Sequence, residues 1–215
     1  MDVKYYYKYL KYKTKYNNII QSGGKQKYDF YFLHGTKDWP GLISMLKDRV
    51  LYPGKDLPPK MRFLGGEETE LNNIYLNINF NDIKNMSYTF GLSLILHPKI
   101  LYEYGIEFHK GWGNFGKIII DKNDNKKIKN KKIKEIKNFL RDPVELPLLL
   151  REPIYNHQVL INKPIPLDGN LLGIICNGCP QDMYKSIKKA LKSYKNVKIY
   201  TISAPPPSIE ELDIN

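Results

Sequence analysis

The chain reads as an α+β domain, and three features of its sequence predict this. Short alternating or apolar runs outnumber stretches with helical period. No regular strand–helix–strand alternation appears, and no internal repeat is visible. The 215 residues are 42% hydrophobic and 13% aromatic. That supplies the side chains for one domain with its own core and argues against a disordered chain.

Residues 1–24 stand apart. Tyr5, Tyr9, Tyr12 and Tyr16 recur at three- and four-residue steps with lysines between them. A helix here carries one aromatic and one basic face and stops at Gly23-Gly24. Residues 25–203 are assigned to the domain. Phe30, Tyr31, Phe32 and Leu33 fit a buried strand, which His34-Gly35-Thr36 breaks with a glycine that permits close backbone approach. Trp39, Leu42, Ile43 and Leu46 recur at helical spacing with Pro40 in the first turn. Val50 to Tyr52 then resumes a strand, turned by Pro53-Gly54. Asp56 to Leu71 is a loop, punctuated by Pro58-Pro59 and Gly65-Gly66 and locally acidic at Glu67, Glu68 and Glu70. Asn73 to Phe80 alternates as a strand should, and a short helix follows. Leu92 to Leu96 is a compact apolar strand ended by His97-Pro98, and Ile100 opens the next turn or helix.

Phe108 to Gly116 mixes glycine and aromatic residues as a loop does. Asn123 to Leu140 is the most basic run, yet Ile128, Ile133, Ile136 and Leu140 supply an inner face. An amphipathic helix with solvated lysines is predicted. Val159 to Ile161 and Leu171 to Cys176 are core strands, separated by Pro164, Pro166 and Gly169. Gln181 to Tyr194 is the last helix and Val197 to Ile202 the last strand. Residues 204–215 form a proline-rich, acidic tail, expected to be mobile.

A net charge of +12 with a pI near 9.4 suits a polyanion such as nucleic acid or an anionic dinucleotide; it equally suits a lysine-rich solvated surface. Two cysteines make no disulfide framework and point to a reducing compartment. The single C-x-x-C at Cys176 to Cys179 falls short of the four ligands of a structural zinc, so no metal is predicted and buried or turn thiols are expected. His97 and His109 are expected to be structural or solvated. No apolar run approaches the roughly 20 residues that cross a membrane, and the N-terminus lacks a signal-peptide core. Phosphate-loop, zinc-protease and nucleophile-elbow motifs are missing from the sequence.

Three segments in order carry a resemblance. His34-Gly35-Thr36 at a strand end, followed by a helix and a strand, resembles the start of the ADP-ribosyltransferase fold, nearest to the catalytic domains of poly(ADP-ribose) polymerases. Asn72 to Ile78, N-N-I-Y-L-N-I, is similar to that family's Gly-Ile-Tyr-Phe motif. Asn156 to Ile161, N-H-Q-V-L-I, is similar to its Asn-Glu-Tyr-Ile-Val-Tyr motif. The likeness spans roughly residues 28 to 177. It implies a mixed or antiparallel β core with short helices, NAD as co-substrate, and a protein or nucleic-acid acceptor.

Carried over by motif, His34 would bond a ribose hydroxyl as a donor. Gly35 would offer its backbone to the nicotinamide amide, with Thr36 completing the motif. Tyr75 would flank the nicotinamide, and Ser87 with Tyr88 would correspond to the second stacking position. The His34 and Tyr75 rings should then line one cleft, within about 12 Å of each other on the scale of a ligand pocket. The family's glutamate has no clear counterpart. One alignment places His157 on it and a shift of one places Gln158 there, and the two face opposite sides of a strand. Gln158 keeps the shape without taking a proton, whereas His157 is a base with a different reach. The resemblance therefore implies mono-ADP-ribosylation rather than polymer synthesis, with weak or absent activity.

A non-catalytic viral structural or interaction protein on the same fold is the alternative. An enzyme transferring RNA 2′-phosphates is a second, although it needs arginines and only Arg49, Arg62, Arg141 and Arg151 are present. The N-terminal segment resembles Lys/Tyr/Leu helices ending in Gly-Gly in giant-virus proteins. That likeness implies host cytoplasm or virion as the location.

Overall fold

The computed structural model describes residues 29–36, 39–57, 72–80, 92–110, 116–141, 158–202 and 209–211. The helix expected over residues 1–24 lies outside them. The first strand, β1 (Phe30–Thr36), runs into helix α1 (Trp39–Asp48) and then β2 (Val50–Leu51). β3 (Ile74–Phe80) and β4 (Leu92–Leu96) precede the short α2 (Ile100–Tyr104). β5 (Ile106–His109) and β6 (Lys117–Ile120) form a hairpin that leads to α3 (Lys126–Arg141). β7 (Gln158–Ile161), β8 (Ile165–Pro166), β9 (Leu171–Cys176), α4 (Gln181–Leu191), β10 (Lys198–Ile202) and β11 (Ile209–Glu211) complete the order.

Nine strands make one sheet in the order β11-β10-β9-β4-β1-β3-β7-β5-β6, and β2 pairs with β8 separately. All neighbours in the large sheet are antiparallel except β9 and β10, which α4 joins as a crossover. The α+β expectation holds. Three local expectations are corrected. The acidic tail contributes β11, paired with β10 from Tyr200↔Glu211 to Ile202↔Ile209. Phe108 and His109 belong to strand β5 rather than to a loop. In α3, Ile133 and Ile136 are buried as expected, but Ile128 is 40% exposed. The inward position one step on is Lys129, whose Nζ donates to the Lys122 carbonyl at 2.6 Å and lies 5.3 Å from the centre of the Tyr102 ring. Positions 129, 133, 136 and 140 keep the helical stripe, and 128 falls about 100° off it.

The sheet is two-sided in character. Alternate residues of β1, Phe30 and Phe32, stand with Leu76 and Ile78 of β3, Leu94 and Leu96 of β4, and Val159 of β7 in the main core. Leu42 and Leu46 of α1, Ile100 and Leu101 of α2, Ile136 of α3 and Ile187 of α4 bury against that same face. The opposite face holds a small cluster of Leu33, Ile95 and Ile175, with Tyr31 and Tyr200 packed on it.

The centre of the sheet forks. The ladder between β1 and β3 runs from Phe30↔Phe80 to Leu33↔Asn77. Beyond it β1 continues against β4, from His34↔Leu94 to Thr36↔Leu92, while β3 continues against β7, from Leu76↔Val159 to Ile74↔Ile161. Each strand keeps its outer partner and loses its inner one, so a gap opens at the end where the His-Gly-Thr sequence stands.

Candidate active site at the fork of the sheet

His34 stands at the crotch of the fork. Its Nδ1 lies 2.9 Å from the carbonyl oxygen of Tyr75, across the gap. A carbonyl only accepts, so Nδ1 carries the hydrogen. Burial pushes the imidazole below its ordinary 6.5, against the bond to Tyr75, which raises it. The neutral ring therefore has its lone pair on Nε2. This corrects the donor role expected for His34: the free nitrogen accepts, and a ribose hydroxyl would have to donate to it. Gly35 pairs with Ser93 of β4, and Thr36, 8% exposed, pairs with Leu92.

The expectation that the His34 and Tyr75 rings share a cleft is overturned by strand register. His34 lies opposite Leu94, on the helix-covered face. Tyr75 sits between the core residues Ile74 and Leu76 and pairs with Leu160, so its ring projects from the other face. Gln158 begins β7 next to the core residue Val159 and opposite His109, which places it on the Tyr75 face as well. The first motif thus presents a side chain on one face, and the second and third motifs on the other. His157, Ser87 and Tyr88 lie outside the described residues.

Side chains that sequence reasoning left aside stand beside Gln158. In successive cross-strand rows on this face, Tyr75, Leu160 and Glu107 align, followed by Gln158, His109 and Lys117. His109 Nε2 lies 2.7 Å from Glu107 Oε1, and Lys117 Nζ donates to the same oxygen at 2.9 Å. Glu107 is only about one-third exposed. Burial alone would raise its carboxyl, but the bonds from Lys117 and His109 outweigh it and hold the group below its ordinary 4.5. The signal was present in Ile106-Glu107-Phe108-His109, whose period of two puts Glu107 and His109 on one side.

Cys176 and Cys179 form a disulfide, which corrects the thiols expected there, although Cys176 is buried as one of the expectations had it. Among the described residues, no group of three or more His, Cys, Asp or Glu side chains is placed to hold a metal ion. No described helix is long and apolar enough to cross a membrane.

What these elements define is an α+β protein with helices packed on one face of its sheet, a fork at the sheet's centre, and a histidine bridging the fork. Residues 27–143, more than half of the chain, match the family described as "Family of unknown function (DUF5846)", and the chain belongs to that family. It is similar to uncharacterized protein R11 of Acanthamoeba polyphaga mimivirus, 39% identical over 95% of this chain and 83% of that one. Among solved structures it is similar to Thermus sp. 2.9 DarT in complex with NAD+, at 13% identity and a TM-score of 0.47, covering 80% of this chain and 94% of that chain. It is likewise similar to the same protein in complex with ADP-ribosylated ssDNA, at 13% identity and a TM-score of 0.47, covering 80% and 92%.

Proposed function

We propose that this protein binds NAD at the fork of its sheet and acts as an ADP-ribosyltransferase on a protein or nucleic-acid acceptor. One observation carries the reading. Three motifs separated by long stretches of sequence fall on β1, β3 and β7, three neighbouring strands at the centre of the sheet, in the order in which they resemble the ADP-ribosyltransferase family. The residues fit NAD in part. Nε2 of His34 supplies an acceptor for a ribose hydroxyl, and Tyr75 supplies a ring on the strand that receives the His34 bond. A carboxylate is missing from the third motif, where the family has glutamate and this chain offers His157 or Gln158.

That substitution, with the separation of His34 and Tyr75 onto two faces, favours a second reading: an interaction protein that keeps the fold without the chemistry. Transfer of RNA 2′-phosphates is less well supported, because the Arg49 guanidinium is already held by both carboxylate oxygens of Asp168 and by Ser193 Oγ. Calorimetric titration of the full chain with NAD separates the readings. The enzyme reading expects saturable binding that His34→Ala weakens by at least about tenfold, the scale of one hydrogen bond to a buried partner. A flat titration of the wild-type chain would leave the interaction reading.

A further inference from the structure

The NAD-binding reading leaves the Cys176–Cys179 pair unused, and these are the chain's only cysteines. We propose that the pair is a reversible redox site, at which the disulfide exchanges with small-molecule thiols. Cys179 is the sulfur attacked and Cys176 the one that leaves. The site needs no bound NAD.

In the chain-entropy account a disulfide stabilises by closing a loop, and the gain grows with loop length. This one spans only Asn177 and Gly178, so its gain is small. Both ends are fixed by other means. Cys176 ends β9 and pairs with Leu92 of β4, while its neighbour Ile175 pairs with Tyr200 of β10. Cys179 leads into α4, which opens with a bond from the Tyr184 amide to the Pro180 carbonyl and buries Ile187 and Leu191 in the main core. Between the cysteines Gly178 takes φ +65°, a left-handed conformation that glycine adopts without strain. The two Cα atoms come to 5.5 Å, well inside the range a disulfide spans. Strand and helix thus hold the cysteines at bonding distance whether or not the bond is present. A reversible pair requires that; a structural staple does not.

The two sulfurs differ in access. Cys176 is 3% exposed and belongs to the main core. Cys179 is half-buried and flanked by the exposed Gly178 and Pro180, so a thiol arriving from solvent meets it first. Cys176, Leu92 and Thr36 make one row across β9, β4 and β1, beside the row of Ile174, Leu94 and His34. The pair therefore stands at the end of the sheet where the fork opens.

In the exchange, the reagent's thiolate attacks Sγ of Cys179 and forms a mixed disulfide. The bond to Cys176 breaks, and its electron pair leaves with Cys176 Sγ, which takes up a proton. A second thiolate attacks the reagent's sulfur in the mixed disulfide and releases Cys179, which is protonated in turn. Two reagent thiols are oxidised to one disulfide, and the protein gains two electrons and two protons. Oxidation is the reverse, with Cys176 attacking the mixed disulfide at Cys179.

The full chain is equilibrated, without denaturant, in buffers of graded ratio of reduced to oxidised glutathione. Free thiols are then alkylated and counted by mass. A single two-electron transition between no free thiols and two is expected, with a cooperative thermal melt in both states. Peptide mapping of the reduced protein should find Cys179 alkylated before Cys176. Oxidised glutathione should couple to the Cys176→Ser variant at Cys179, and to the Cys179→Ser variant at Cys176 at least about tenfold more slowly, because the buried thiol waits for local opening. A disulfide that glutathione reduces only in denaturant would overturn the proposal, as would a reduced state that no longer melts cooperatively. Two thiols that stay free in oxidised glutathione would also overturn it. Equal rates at the two cysteines would remove the roles assigned to them, and the mapping of the wild-type chain decides that point even if a variant fails to fold.

Discussion

Folding holds His34 neutral: burial opposes the charged form more strongly than the bond to the Tyr75 carbonyl favours it. His97 is shifted in the same direction by burial and by Lys99. A histidine whose pKa falls on folding binds fewer protons folded than unfolded once the pH drops below its ordinary 6.5. Stability is therefore expected to decline as the pH falls through 6.5, and to level off below the folded pKa values. Glu107 does not confuse this window, because its contribution is kept until the pH falls below about 4.5. His34→Gln keeps a donor for the Tyr75 carbonyl and removes the titration. Urea midpoints measured across this range should fall less steeply for the variant than for the wild-type protein; equal slopes would place the pH dependence elsewhere.

The elements show why a residue pattern can be right in kind and wrong by one position. In α3 both Ile128 and Lys129 are long side chains in a run of lysines, and apolarity alone selects Ile128 for the core. The helix follows its period instead. Lys129 turns inward because its stem packs as hydrocarbon while its ammonium reaches the Lys122 carbonyl and the Tyr102 ring. Ile136→Ala should cost about 2–5 kcal/mol in urea unfolding, as expected for a fully buried isoleucine. Ile128→Ala should stay within about 0.5 kcal/mol. A reversal of that order would restore the original inner face. The strand pairs carry the same lesson. Phe30 to Leu33, Ile74 to Phe80 and Leu171 to Cys176 were legible from their own alternation or apolar density. Their faces were not, because which side a residue presents depends on partners distant in the chain, and one residue of register moves every side chain across the sheet. The candidate site suffers most from this. Motif spacing located His34, Tyr75 and Gln158, but only pairing revealed that His34 stands apart from the other two and that Glu107 and His109 stand with them.

For the whole molecule, the fork divides the sheet into a half made of β11, β10, β9, β4 and β1 and a half made of β3, β7, β5 and β6. Neither half is continuous in the chain, which passes from one to the other after β1, β3 and β4 and again between β7 and β9. The order of synthesis then matters. β3 can pair with β1 as soon as both have emerged, yet its other edge has to wait for β7, which begins at Gln158, well after Phe80. At roughly 5–20 residues per second a ribosome needs about 4–16 s to make that stretch. Throughout this interval a nascent chain would carry a strand with Ile74, Leu76 and Ile78 on one side and an unpaired row of amide and carbonyl groups along its edge, the combination that invites pairing with a neighbouring chain. The same arrangement that opens a gap at the centre of the finished sheet makes the unfinished one dependent on prompt completion, or on a chaperone that covers β3 until its partner arrives.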